Sequence, residues 1–238
     1  MDINKYLLTY FFFSVLGWLW ESVYCTAKER KWQNRGFLFG PLCPIYGFGS
    51  IIGLVYSDLN TLGIIDPLPW WKIFIAGFLI SMILEYPTSY ILEKRFHARW
   101  WDYSNLPFNI GGRTSLITSM GFGIGAIVIV NYLIPFFEQA LLIFPDLFIA
   151  VLSVLLVAIH SADFTLTVSH LTNFQRNIDE IERNFQNIMT KKVDDIFEKQ
   201  SHLYGRTLER IVSFKMSKAH NMVAKKFIQA LRDAKRMK

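Results

Sequence analysis

Charge is scarce in this sequence. Of its 238 residues, 18% are Asp, Glu, Lys or Arg, where a soluble domain of this size carries about 25%. The shortage is local. Residues 1–169 hold 10 basic and 11 acidic residues between long apolar runs, while 170–238 hold 15 basic and 8 acidic. Such a split excludes one soluble globular domain. It gives a near-neutral membrane domain, 1–169, followed by a basic tail, 170–238.

Cysteine is nearly absent. Cys25 and Cys43 fall in apolar stretches with no partner at metal-ligand spacing. They read as small buried hydrophobes, with neither a disulfide nor a metal site. No GxxxxGK[ST] stretch occurs, so P-loop binding of ATP is excluded. Spacing pairs no serine or cysteine with a base, so the chain leans away from being an enzyme, and no cofactor is indicated. The N-terminal apolar run exceeds a signal h-region, and no small-residue cleavage site follows it, so it is expected to stay. The tail mixes its cations with acids and matches no recognition motif. Anionic lipid is its expected neighbour, and nucleic acid is not.

What is present is apolar length. Five stretches, 5–27, 37–57, 70–93, 114–137 and 140–168, each approach the ~20 residues that a bilayer requires. The expected fold is all-α, a polytopic helix bundle of five spans. Lys28, Arg30, Lys31 and Arg35 lie in one loop and Lys94, Arg95, Arg99 and Arg113 in another. The intervening loops hold Asp58 and Asp66, then Glu138 and Asp146. The excess of basic residues puts 28–35, 94–113 and the tail in the cytoplasm, with the N-terminus outside. Lys5 opposes that assignment. The tail reads as helical, with Phe174, Ile178, Ile181, Phe185 and Ile188 at heptad-like spacing.

Three acids, Glu21, Glu85 and Asp163, sit inside spans, where a charge requires a partner or water. Each lies seven to nine residues from a basic residue or histidine at the inner end of its span, roughly 10–14 Å deep. Pro41 and Pro44 reach the same layer from Arg35. Proline removes a donor and breaks a helix, and irregular backbone survives in a bilayer only where protein or a water-filled cavity satisfies it. These features predict a polar cavity opening to the cytoplasm. Arg35 and Arg113 stand at its mouth. They either bind an anionic headgroup or substrate, with Trp100 and Trp101 flanking it, or pair with Glu21, Glu85 or Asp102. His160 and Asp163, three apart on one helix face, serve either as a proton relay or as a satisfied polar pair.

The stretches GWLWES, NRGFLFGPLCPIYGFG, EYPTSYILEKRF and RWWDYSNLPFNIGGR resemble the bacterial permease-like membrane proteins of the ABC-transporter type IV, or CmpB-type, family. The resemblance covers about residues 5–168. It implies a multi-pass protein of the bacterial inner membrane. It marks Trp18, Glu21, Asn34, Arg35, Gly36, Pro41, Pro44, Tyr46, Gly47, Glu85, Trp101, Asp102, Tyr103, Asn109, Gly112 and Arg113. Without a P-loop, an ABC component would depend on a separate ATPase.

Three functions follow as expectations. The first is a transporter or permease-like subunit with an anionic or lipid-like substrate, working as a homodimer or with a partner subunit. The second is a membrane-embedded enzyme acting on a phosphate-bearing lipid or isoprenoid headgroup. The third is a non-catalytic scaffold or regulator that uses the tail.

Overall fold

Aromatic and aliphatic residues predominate from Ile3 to Glu29 with no proline among them, and they form one helix, α1 (Ile3–Glu29), closed by Lys28 in its last turn. A cation there suits the negative end of the helix dipole. The computed structural model describes residues 3–184 and 213–214. Four further helical stretches follow, namely α2 (Pro44–Thr61), α3 (Trp70–Phe96), a rod from Leu116 to Leu141, and α6 (Asp146–Asn184). The rod comprises α4 (Leu116–Val128), a π turn (Ile129–Leu133) and α5 (Ile134–Leu141).

The protein is mostly helical. Among the described residues, three helices are long and apolar enough to cross a membrane, namely Trp70–Phe96, Leu116–Leu141 and Asp146–Phe174. By the same measure α1 and α2 have the length but not the hydropathy. Tyr, Trp, Ser and Thr occupy many positions in α1, and Gly, Ser, Asp and Asn do so in α2. The expected second span at 37–57 begins later, at Pro44. Proline is welcome there, because its missing N–H falls among the donors that a first turn leaves unpaired anyway.

Residues 34–43 are irregular and run from the end of α1 to its middle, where Cys43 N donates to Ser14 O at 2.9 Å. From that depth α2 packs along α1. Gly47 lies against Ser14 and Tyr10 so closely that a Cβ there would collide with both. At the far end Lys5 Nζ pairs with Asp58 at 2.6 Å and with Glu138 at 2.7 Å. The start of α1 and the ends of α2 and α5 therefore share one side of the bundle.

The loop between α3 and α4 folds on itself. β2 (Asn109–Ile110) pairs antiparallel with β3 (Thr114–Ser115). Gly111 and Gly112 have φ of 59° and 69°, the left-handed region that a tight hairpin turn demands. Ser115 then caps α4 in a reciprocal capping box with Thr118, which satisfies two donors of the first turn. β1 (Ala98–Arg99) pairs with β4 (Ser213–Phe214). Phe96, Ala98, Trp100 and Leu171 are buried together, with Phe37 and Trp101 against them. Trp100 therefore belongs to a core and flanks no open site. α6 passes through 169–170 without interruption. Phe185 and Ile188 of the tail stripe lie outside the described residues.

Candidate functional site

The irregular segment 34–43 depends on borrowed partners. Trp18 Nε1 donates to Asn34 Oδ1 at 2.8 Å. Arg35 N donates to Ser22 Oγ at 3.2 Å. Phe39 N and Gly40 N donate to the two carboxylate oxygens of Asp163, at 3.0 and 2.8 Å. Thr167, one turn further along α6, donates to the same carboxylate at 3.3 Å. Leu42 N finds Gly40 O at 2.8 Å. Pro41 and Pro44 have no N–H to satisfy. Asp163 thus serves as an acceptor for backbone that no helix satisfies. Gly40 fits closely there, since a Cβ would stand 2.8 Å from Asp163 Oδ2 and the carboxylate would have to shift.

The acids therefore divide. His160 Nε2 meets Tyr10 Oη at 3.2 Å, while Asp163 faces the segment, so this pair shares no hydrogen bond. Glu21 and Glu85 instead converge. Tyr46 Oη donates to Glu21 at 2.6 Å. Glu85, 4% exposed, accepts from Thr114 Oγ1 at 3.0 Å and from Tyr103 Oη at 3.3 Å. Thr114 continues to Ser119 at 3.2 Å. Glu21 is close enough to act on Glu85 electrostatically. Burial, reinforced by Glu85 and Glu21, pushes the Tyr103 phenol well above its ordinary pKa, so it remains a donor. Among the described residues no cation pairs with Glu21 or Glu85. The Arg35 guanidinium, half-buried, lies within electrostatic reach of Tyr103.

Glu85 also lines a groove of about 210 Å³ between α2, α3 and the α4 rod. Ile45, Leu84, Phe122 and Val130 supply its walls, and Gly49, Gly53 and Gly77 make room for it. Its polar lining is Tyr46, Ser50, Tyr56, Ser81 and Glu85. The π turn contributes Ile129 and Val130. Such turns are inserted bulges in α-helices, often found where a site is built. The expected cavity was polar and open to the basic end. This groove is mostly apolar, and it runs from Glu85 to Tyr56 and Leu68, toward the end that holds Asp58.

The remaining predicted residues brace the loop and do not line the groove. Arg113 Nη1 pairs with Glu93 at 2.6 Å and lies over the rings of Tyr86 and Tyr90 at 5.7 and 5.4 Å. Arg99 pairs with the same Glu93 oxygen at 2.6 Å. Trp101 Nε1 donates to Arg113 O at 2.8 Å. Asp102 accepts from Ser104 N at 3.0 Å and stands 3.6 Å from Arg99. Asn109 donates to Leu106 O at 2.7 Å and accepts from Gly112 N at 3.0 Å.

Sequence reading missed Glu93, Thr114, Ser119 and Thr167. Thr167 alone left a signal, being four residues after Asp163 on the same helix face.

The family model described as "Putative ABC-transporter type IV" matches residues 8–168. No curated protein and no solved structure is significantly similar to the chain.

Proposed function

We propose that this chain, which belongs to the ABC-transporter type IV family, is a transport subunit that holds an amphiphilic, lipid-like ligand in the groove ending at Glu85. One observation carries this reading. An interrupted segment, a helix that begins at mid-depth and a groove all meet at Tyr46. Broken helices that meet a cavity near the membrane centre are how many transporters build a substrate site. A chain that only anchors would not bury Glu85 without a counter-charge.

The reading includes five crossings in a bacterial inner membrane, with the N-terminus outside and the tail inside. Pairing of Lys5 with Asp58 and Glu138 supports that orientation, because it sets the start of α1 beside the acid-bearing ends of α2 and α5, the end poor in Lys and Arg. In this arrangement the groove runs from the middle of the membrane toward the outer side. The chain works as a homodimer or with a partner subunit, and energy comes from a separate ATPase, since the sequence has no P-loop.

Gly49 offers the test. It lines the groove, and a Cβ there would meet only Leu84 Cδ1, at 3.9 Å. Leucine at 49 therefore has room to enter the groove and occupy it. With an alkyl diazirine probe in nanodiscs, wild-type protein should be labelled on α2, α3 and α4 around Ile45, Leu84 and Phe122. Gly49→Leu should cut that labelling about tenfold, equivalent to 1.4 kcal/mol of binding, with an unchanged melting temperature. Labelling confined to the lipid-facing surface, or equal in both proteins, refutes the groove as the binding site.

A further inference from the structure

The groove has one charged group in its lining. No Lys, Arg or His lines it, and Glu85 closes its inner end. That carboxylate is buried, accepts two hydroxyl hydrogen bonds, and forms no ion pair among the described residues. A carboxylate has about four acceptor positions, so Glu85 retains acceptor capacity. Glu21 adds a second negative charge nearby, and the Tyr46 and Tyr103 hydroxyls are committed to the acids as donors. Arg35, Arg99 and Arg113 are not among the residues that line the groove, and the last two are held by Glu93.

These facts bear on ligand charge. A purely apolar ligand would leave the Glu85 carboxylate buried with two hydroxyl hydrogen bonds and no counter-charge to offset it, which is costly. An anion would bring like charge against it with no cation among the described residues that line the groove, and like charges in low dielectric repel strongly. A cation at the end of an apolar body satisfies both the walls and the carboxylate. Recognition by charge here works through rejection as much as through attraction.

We propose that the groove selects amphiphilic cations: the apolar body lies between α2, α3 and α4, and an ammonium-type head docks on Glu85. The selected ligand has no phosphate beside its cation, because no Lys, Arg or His is among the lining residues to receive one. This rests on the transport-site reading above and adds the ligand's charge to it.

The experiment is competition for the diazirine label in phosphatidylcholine nanodiscs. The competitors are dodecylammonium, dodecanol and dodecyl sulfate, at matched mole fractions in the bilayer. Dodecylammonium should displace the label at concentrations about tenfold below dodecanol, and dodecyl sulfate should be weakest. Glu85→Gln should bring dodecylammonium down to the level of dodecanol and leave dodecanol itself unchanged. If Glu85→Gln fails to fold, Ser81→Lys serves instead. It stands one turn before Glu85 in the same lining and supplies the missing counter-charge, so it too should abolish the ammonium preference. Equal competition by dodecyl sulfate, or an ammonium preference that survives both substitutions, overturns the assignment. So does equal competition from phosphatidylethanolamine, which would point to a lipid headgroup. Gly49→Leu separates the two levels of the proposal. If it weakens every competitor while charge makes no difference, the groove stands and cation selection falls. If it weakens none, the groove reading falls as well.

Discussion

Asp163→Ala is expected to destabilise the protein by about 1–3 kcal/mol, because it strands Gly40 N and leaves Phe39 N with its longer bond to Thr167 Oγ1, at 3.3 Å, where water cannot replace the lost acceptor. Phe39 N and Gly40 N today meet Asp163 Oδ1 and Oδ2. A hydrogen bond between membrane helices is often worth less than 1 kcal/mol, because the unfolded state finds other partners. Two features raise the value here. The acceptor is charged, and the donors belong to a segment whose prolines already prevent a helical alternative. Asp163→Asn should fall between wild type and alanine, since its amide keeps one acceptor oxygen and turns a donor toward the other N–H. Melting of the purified protein in mild detergent gives the order. A second readout locates the damage. Cys43, at the inner end of the segment, is buried, and its N–H is tied to Ser14 O. In a Cys25→Ser background, maleimide should modify Cys43 slowly in wild type and at least about tenfold faster in Asp163→Ala, if release of the segment costs the 1.4 kcal/mol that a factor of ten represents. A variant that melts like wild type and keeps Cys43 protected shows that Asp163 does not hold the segment.

The same residue marks how far the sequence could be read. Glu21, Glu85 and Asp163 stood out because charge is rare in such apolar runs. Their partners did not. Asp163 binds main-chain N–H groups, and no letter in a sequence announces a main-chain donor that lacks a partner. Pro41 and Pro44 gave the break, but not its register. The helix starts on the second proline, and the residues before it are held by α1 and α6. Tertiary contacts over 124 residues of sequence decided that. The loop glycines were legible for a local reason, since Gly111 and Gly112 can take positive φ without strain. The partner of Arg113 was not, because Glu93 lies 20 residues away and reaches it only after the loop has closed. Hydropathy found the last three long helices cleanly. It was blunter for α1 and α2, whose polar and small residues face each other.

That loop closure yields the second large effect. Glu93 holds Arg99 and Arg113 at once, each at 2.6 Å through one carboxylate oxygen. The side chains are 17%, 6% and 13% exposed, in that order. Removing the shared acid leaves two shielded guanidinium groups; among the described residues, the acid that remains beside them is Asp102, 3.6 Å from Arg99. Breaking a fully buried pair from one side costs about 3–5 kcal/mol, and discounting for partial exposure gives about 2–4 kcal/mol for Glu93→Gln. The reverse substitution is not equivalent. Arg113→Gln leaves Glu93 paired with Arg99, so no charge is stranded, and its cost should stay near 1 kcal/mol. Melting curves of the two variants should therefore differ clearly, and Glu93→Gln should be the worse. The loss should also reach the groove. Tyr103 and Thr114, both donors to Glu85, sit on the loop that Glu93 pins. A loosened loop leaves Glu85 short of two hydrogen bonds and changes how it receives a head group. Glu93→Gln should therefore weaken discrimination between dodecylammonium and dodecanol, although Glu93 is not among the residues lining the groove. If both variants melt alike, the shared-anchor account is wrong. If Glu93→Gln lowers stability but leaves discrimination intact, the loop braces the bundle without setting the geometry at Glu85.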